Sequence, residues 1–121
     1  MLLATVTTDP QERFIRIQCS PRATVNDWRA SLEAFMALAM ETGIRRGLVD
    51  VRSQESESGP QMELFDFGSK LPPDMVFAVM SDARNHDHVF VETVALNRGK
   101  NVRLFFGAEE EAIEWLMAQS V

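Results

Sequence analysis

Two short polar runs hold most of the reactive side chains of this chain. Asp50, Arg52 and Ser53 lie at or just beyond the apolar stretch 47–51, and Ser81, Asp82 and Arg84 follow the apolar stretch 75–80. Arg52 and Arg84 present forked donors that match a carboxylate or phosphate. Asp50, Ser53, Asp82 and His86 are the residue types from which a small hydrolase or transferase draws its base and nucleophile. The same groups can also neutralise one another, with Asp50 and Asp82 each facing an arginine.

Other reactive residues carry less. His86-Asp87-His88 opens a helical stretch, where positions i and i+2 point to nearly opposite sides. One metal ion cannot easily take both imidazoles, so no metal site is expected, and the pair reads as solvated histidines at a helix start. Cys19 shares the apolar face of its strand with Ile15 and Ile17 and reads as a buried structural thiol. The chain contains no G-x-S-x-G elbow, P-loop or dinucleotide fingerprint. No cofactor is expected and no residue is assigned as catalytic.

A softer signal lies in the helix over 60–69. Met62, Leu64, Phe65 and Phe67 cover more than one of its faces. Such a helix is either fully packed or exposes apolar surface as a groove or partner face, which makes Met62 and Phe65 candidate contacts. The preceding run 52–59 is polar throughout and reads as a mobile, solvated loop, with its serines available to a kinase.

These residues need elements to position them. Alternation over 2–8 and 13–19 around Asp9-Pro10 predicts an antiparallel hairpin near a sheet edge. Thr24 with Asp27 makes a capping box, Val25, Trp28, Leu32, Phe35, Met36, Ala39 and Met40 form one stripe, and Gly43 ends that helix. The runs 47–51 and 75–80 read as central strands buried on both faces. Helices over 85–97 and 108–119 flank a less buried strand at 102–106. Glu109, Glu110 and Glu111 favour the positive end of the last helix. Right-handed crossovers then set the strands side by side. The expectation is an α/β fold, β-β-α-β-α-β-α-β-α, with a five-stranded mixed sheet whose first strand alone is antiparallel.

At 121 residues the chain has the length of one domain, taken as 1–121. A net charge of −6, with ten arginines and two lysines among the cations, argues against nucleic acid or an anionic membrane as partner. One cysteine, no signal-peptide pattern and no long apolar run fit a cytoplasmic protein.

The element order, the GLVDV and MVFAVM strands, and above all ALNRGKNVRLFFGAEEEAIEWL resemble the stand-alone bacterial SpoIIAA-like proteins of the STAS and CRAL-TRIO-like group. The specific part is Asn97-Arg98-Gly99, the strand 102–106 and Trp115-Leu116. The resemblance implies the fold, on which many members have no assigned activity. Anti-sigma-factor antagonists of the STAS group carry a phosphorylatable serine in a D-S-[SA]-G-type motif. Here the stretch after Asp50 reads VRSQESESG and lacks it, so the partner-switching role does not follow. The sequence thus points to a non-enzymatic module that binds a small apolar or acidic ligand or a protein partner. A rim hydrolase or transferase is the alternative, and a homodimer through the edge strand 2–8 or an exposed helix face a third reading.

Overall fold

The computed structural model describes residues 3–55, 58–82 and 85–121. Among these, the elements are β1 (Ala4–Thr8), β2 (Ile15–Cys19), α1 (Val25–Thr42), β3 (Arg46–Asp50), α2 (Gln61–Ser69), β4 (Val76–Met80), α3 (His86–Asn97), β5 (Asn101–Phe105) and α4 (Glu109–Ala118). They form one five-stranded sheet in the order β1-β2-β3-β4-β5. Only β1 runs antiparallel, with Val6 opposite Ile17. The remaining pairs are parallel, and Asp50 at the end of β3 sits beside Met80 at the end of β4.

Local chemistry sets the boundaries. In the β1–β2 turn the Asp9 carboxylate accepts the main-chain N–H groups of Gln11 and Arg13 at 3.2 and 3.3 Å and pairs with Arg13 Nε at 2.9 Å. At the start of α1 the Thr24 N–H donates to Asp27 Oδ2 at 2.7 Å. Gly43 ends that helix at φ 78°, a left-handed conformation that glycine adopts without a Cβ clash. Gly99 does the same after α3, at φ 75°. Arg46 reaches the far end of α4, donating to the carbonyls of Leu116 and Gln119 at 3.2 and 2.7 Å.

The strands bury two faces. Ile15, Ile17, Cys19, Phe77 and Val102 meet Trp28, Phe35, Leu64 and Ala95 from α1, α2 and α3. Leu48, Val76, Ala78, Met80 and Phe105 meet Ala112 and Leu116 of α4 on the other side. Gly47 keeps room for a ring contact between Phe35 and Phe77, whose centroids lie 5.0 Å apart. A Cβ there would come within 2.8 Å of Phe77 and 2.9 Å of Phe35.

The α1 stripe is narrower than its sequence suggests. Met40 is 87% exposed. It stands twelve residues after Trp28, about 120° around the helix from it, and so leaves the inward face.

Candidate functional site

The carboxyl rim of the sheet is the first place to look, because ligands of open α/β sheets sit beyond the strand ends. Asp50 is buried there and takes Arg52 bidentately, with Nε at 3.0 Å from Oδ1 and Nη2 at 2.8 Å from Oδ2. The Arg52 N–H adds a third bond at 3.1 Å. Burial alone would raise the Asp50 carboxyl, but the hydrogen bonds and charge of Arg52 overcome it and hold the group below its ordinary value. A ligand anion would therefore have to displace Asp50 from Arg52. Ser53 is exposed and its hydroxyl lies 3.4 Å from the Cys19 carbonyl. Arg16 and Glu109 pair at 3.0 Å on the same side of the sheet as Asp50. Of the second run, Arg84 lies outside the described residues. The Asp82 carbonyl accepts the Asn85 N–H at 2.9 Å, closing the turn into α3.

The histidine reading needs correction. His86 is exposed as the first residue of α3, whereas His88 is only 4% exposed. The two do point apart, and the second points inward. Its Nδ1 meets the Ser81 hydroxyl, and its Nε2 lies 2.7 Å from Gln54 Oε1. Gln54 Nε2 donates to the Ala23 carbonyl. That bond orients the amide, so Nε2–H of His88 is the donor to Gln54 and Nδ1 accepts from Ser81. Burial pushes the imidazole down to about 4, against the pull of the Asp87 and Asp82 charges.

This Ser81–His88–Gln54 chain has the outline of a hydrolytic dyad without its properties. Ser81 is 4% exposed, an amide stands where a carboxylate would stabilise an imidazolium, and the ring is held neutral. Its visible effect is to tie the segment after β3 to α3. Gln54 and Ser58 are buried, and the Ser58 N–H donates to Asp87 Oδ2 at 2.7 Å. The expectation of a solvated loop over 52–59 fails for these described residues, because polar side chains here find buried partners from other segments. Ser58, at 2% exposure, is closed to a kinase. Ser56 lies outside the described residues.

Beneath α1, α2 and α3 lies a partly open apolar cavity of about 90 Å³. Its wall includes Trp28, Leu32, Val49, Phe67, Val79 and Leu104. His88 and Glu92 also reach it. The Glu92 carboxylate accepts the Leu104 main-chain N–H at 2.7 Å. Cys19 lines the cavity, its thiol pushed up to about 11 by burial and by the charges of Asp50 and Asp27. It is thus a packed thiol rather than a nucleophile. Nothing in the sequence announces this space: its lining comes from α1, α2, α3 and four strands. Sequence reasoning also missed Trp28 as a possible contact, reading it only as core.

The outer side of α2 is the other candidate surface. Leu64 is buried and Phe67 tilts against Trp28 at 5.5 Å between centroids. Met62 and Phe65 are 85% and 43% exposed, and the Arg98 guanidinium lies 5.3 Å from the Phe65 ring centre. Both of the alternatives left open for this helix therefore hold, on different faces. Among the described residues no cluster of three or more His, Cys, Asp or Glu is placed to hold a metal, and no helix is long and apolar enough to cross a membrane.

No protein-family model matches the chain, and no curated protein matches it in sequence. Among solved structures, that of an anti-sigma factor antagonist from Mycobacterium paratuberculosis aligns over 93% of this chain and 93% of its own, with a TM-score of 0.57 and 13% identity. The sheet order, the single antiparallel strand and this superposition agree: the chain has the SpoIIAA-like fold of the STAS group.

Proposed function

We propose that the protein is a non-enzymatic binding module, one cytoplasmic domain spanning 1–121, whose ligand enters the apolar cavity beneath α1, α2 and α3. The cavity itself carries the reading: a partly open apolar space on the most heavily packed face of the sheet. The state of the reactive groups supports it. Asp50 is paired with Arg52, Cys19 is held as a thiol, and His88 has both ring nitrogens engaged.

A protein partner at the outer face of α2 is the second reading. Met62 and Phe65 favour it, and the similar solved structure is described as an anti-sigma factor antagonist. The missing phosphoserine motif weighs against partner switching of that kind.

Native mass spectrometry of gently purified protein, with a thermal-shift panel of small apolar compounds, tests the first reading. A retained mass or a raised melting temperature that disappears in Val79→Phe, which fills the cavity, is the expected result. Hydrolysis of an activated ester that Ser81→Ala or His88→Ala abolishes would overturn it in favour of an enzyme at the rim.

A further inference from the structure

One edge of the sheet carries a free row of main-chain groups. In the β1–β2 hairpin the Ser20 N–H donates to the Leu3 carbonyl at 2.9 Å, and the Asp9 N–H to the Phe14 carbonyl at 2.9 Å. Those two bonds fix the alternation of the ladder: positions 3, 5, 7 and 9 bond inward to β2, and the positions between them face away. The N–H and carbonyl groups of Ala4, Val6 and Thr8 therefore point out of the sheet, where they have no partner among the described residues. The strand also lacks the usual devices that blunt an edge. Ala4-Thr5-Val6-Thr7-Thr8 has no charge, proline or glycine, its register is unbroken by a bulge, and every residue after Ala4 is β-branched.

We propose that β1 pairs antiparallel with β1 of a second copy of this chain, about a two-fold axis through Val6. The pairing is independent of what the cavity holds. Self-recognition follows from the register. With Val6 opposite Val6 of the other copy, Ala4 meets Thr8 and Thr8 meets Ala4, so every outward group of the strand is matched and each pair exchanges two hydrogen bonds. Thr5 and Thr7, both exposed, then stand opposite one another on the open face, a favourable cross-strand pair. A strand of another protein would meet the same row, but α1 favours a copy. α1 lies over β1 and β2, and its Arg29 turns one flank toward Glu63 and Asp66 of α2. At about 100° per residue the opposite flank carries Ala30, Ala34 and Leu38, of which the alanines are exposed and Leu38 is half-buried. Strands about 4.8 Å apart set the two copies of α1 roughly 10 Å apart, a spacing at which helices pack, and alanines allow that approach.

The test follows the whole chain by sedimentation velocity across concentration and by amide exchange in ¹H–¹⁵N NMR. The wild type should pass from monomer to dimer as concentration rises, and in the dimer the amides of Ala4, Val6 and Thr8 should exchange slowly. Thr5→Lys with Thr7→Lys sets lysine opposite lysine across the pair. That chain should stay monomeric, with Ala4, Val6 and Thr8 exchanging fast while Thr5 and Thr7, bonded to β2, remain protected as the sign of an intact fold. Thr5→Glu with Thr7→Glu should behave alike, and an equimolar mixture of the two charged chains should regain the dimer. Thr8→Pro removes an outward N–H and no bond to β2, so it should weaken self-association about 30-fold, the worth of two hydrogen bonds. A wild type that stays monomeric at NMR concentrations would overturn the proposal and leave β1 to a strand of another protein. A dimer that both charged chains retain, or a mixture of them that stays monomeric, overturns it as well. A dimer lost in Met62→Glu but kept in Thr8→Pro would place the contact on α2 instead.

Discussion

His88 is neutral because burial excludes water and its partners are a hydroxyl and an amide. That has a consequence for stability, and its sign follows from where protons bind. In the unfolded chain the imidazole titrates near its ordinary 6.5, and in the folded protein near 4. Between these values the unfolded state holds the extra proton. Stability is therefore full above about pH 6.5, falls as the pH drops, and stops falling from this source below about 4. The whole effect is on the order of 3 kcal/mol. Urea melts between pH 4.5 and 7.5 should show this slope for the wild type, and for His86→Gln, which alters only an exposed ring. His88→Phe should lose about one proton's worth of it. An unchanged slope in that variant would mean that His88 does not set it. The sequence made the two histidines point apart but could not say which one faced inward. Its partners, Ser81 and Gln54, come from other segments, and a polar run such as 52–59 looks the same whether its amides meet water or an imidazole.

At the scale of the elements, α1 and the α2–α3 contact give the sharpest expectations. Phe35 is fully buried against Phe77, so Phe35→Ala should cost about 3–5 kcal/mol. Met40→Ala should stay within about 0.5 kcal/mol of wild type, as exposed substitutions do. Chemical denaturation of the two variants tests whether the α1 stripe ends at Ala39. Gly68 is the close approach between α2 and α3. A Cβ there would stand 3.0 Å from the Val91 carbonyl and 3.3 Å from Val94. In an open helix Gly→Ala gains about 1 kcal/mol. Here overpacking against backbone costs about 1–3 kcal/mol and should win, so Gly68→Ala is expected to be net destabilising in the same assay. Element boundaries were legible to within a residue or two because caps are local: the Thr24–Asp27 bond, and Gly43 and Gly99 in left-handed turns, are written in adjacent residues. The placement of Met62 and Phe65 outward was not legible, because an apolar stripe records hydrophobicity and not which side a neighbour covers.

For the whole molecule, the sheet order and the single antiparallel strand followed from the alternation of strand and helix, since right-handed crossovers leave few arrangements. The cavity did not follow. It is a residue of imperfect packing between three helices and one sheet face, with contributors from Ile17 to Leu104. One contact on its rim has a bearing on assembly. β1 and β5 are the two edges of the sheet, and at β5 the Leu104 N–H is already taken by Glu92 from α3. A strand arriving at β5 would have to dislodge a carboxylate before it could form the ladder, and charge at an edge is a recognised guard against such pairing. Glu92→Ala should therefore raise concentration-dependent light scattering while Glu92→Gln, which keeps an acceptor, raises it less. Equal scattering from wild type and Glu92→Ala would show that this edge is closed by something else. The difference decides topology: two open edges per molecule allow head-to-tail growth into a filament, whereas β1 alone can only meet another β1 about a two-fold axis, and growth ends at a pair.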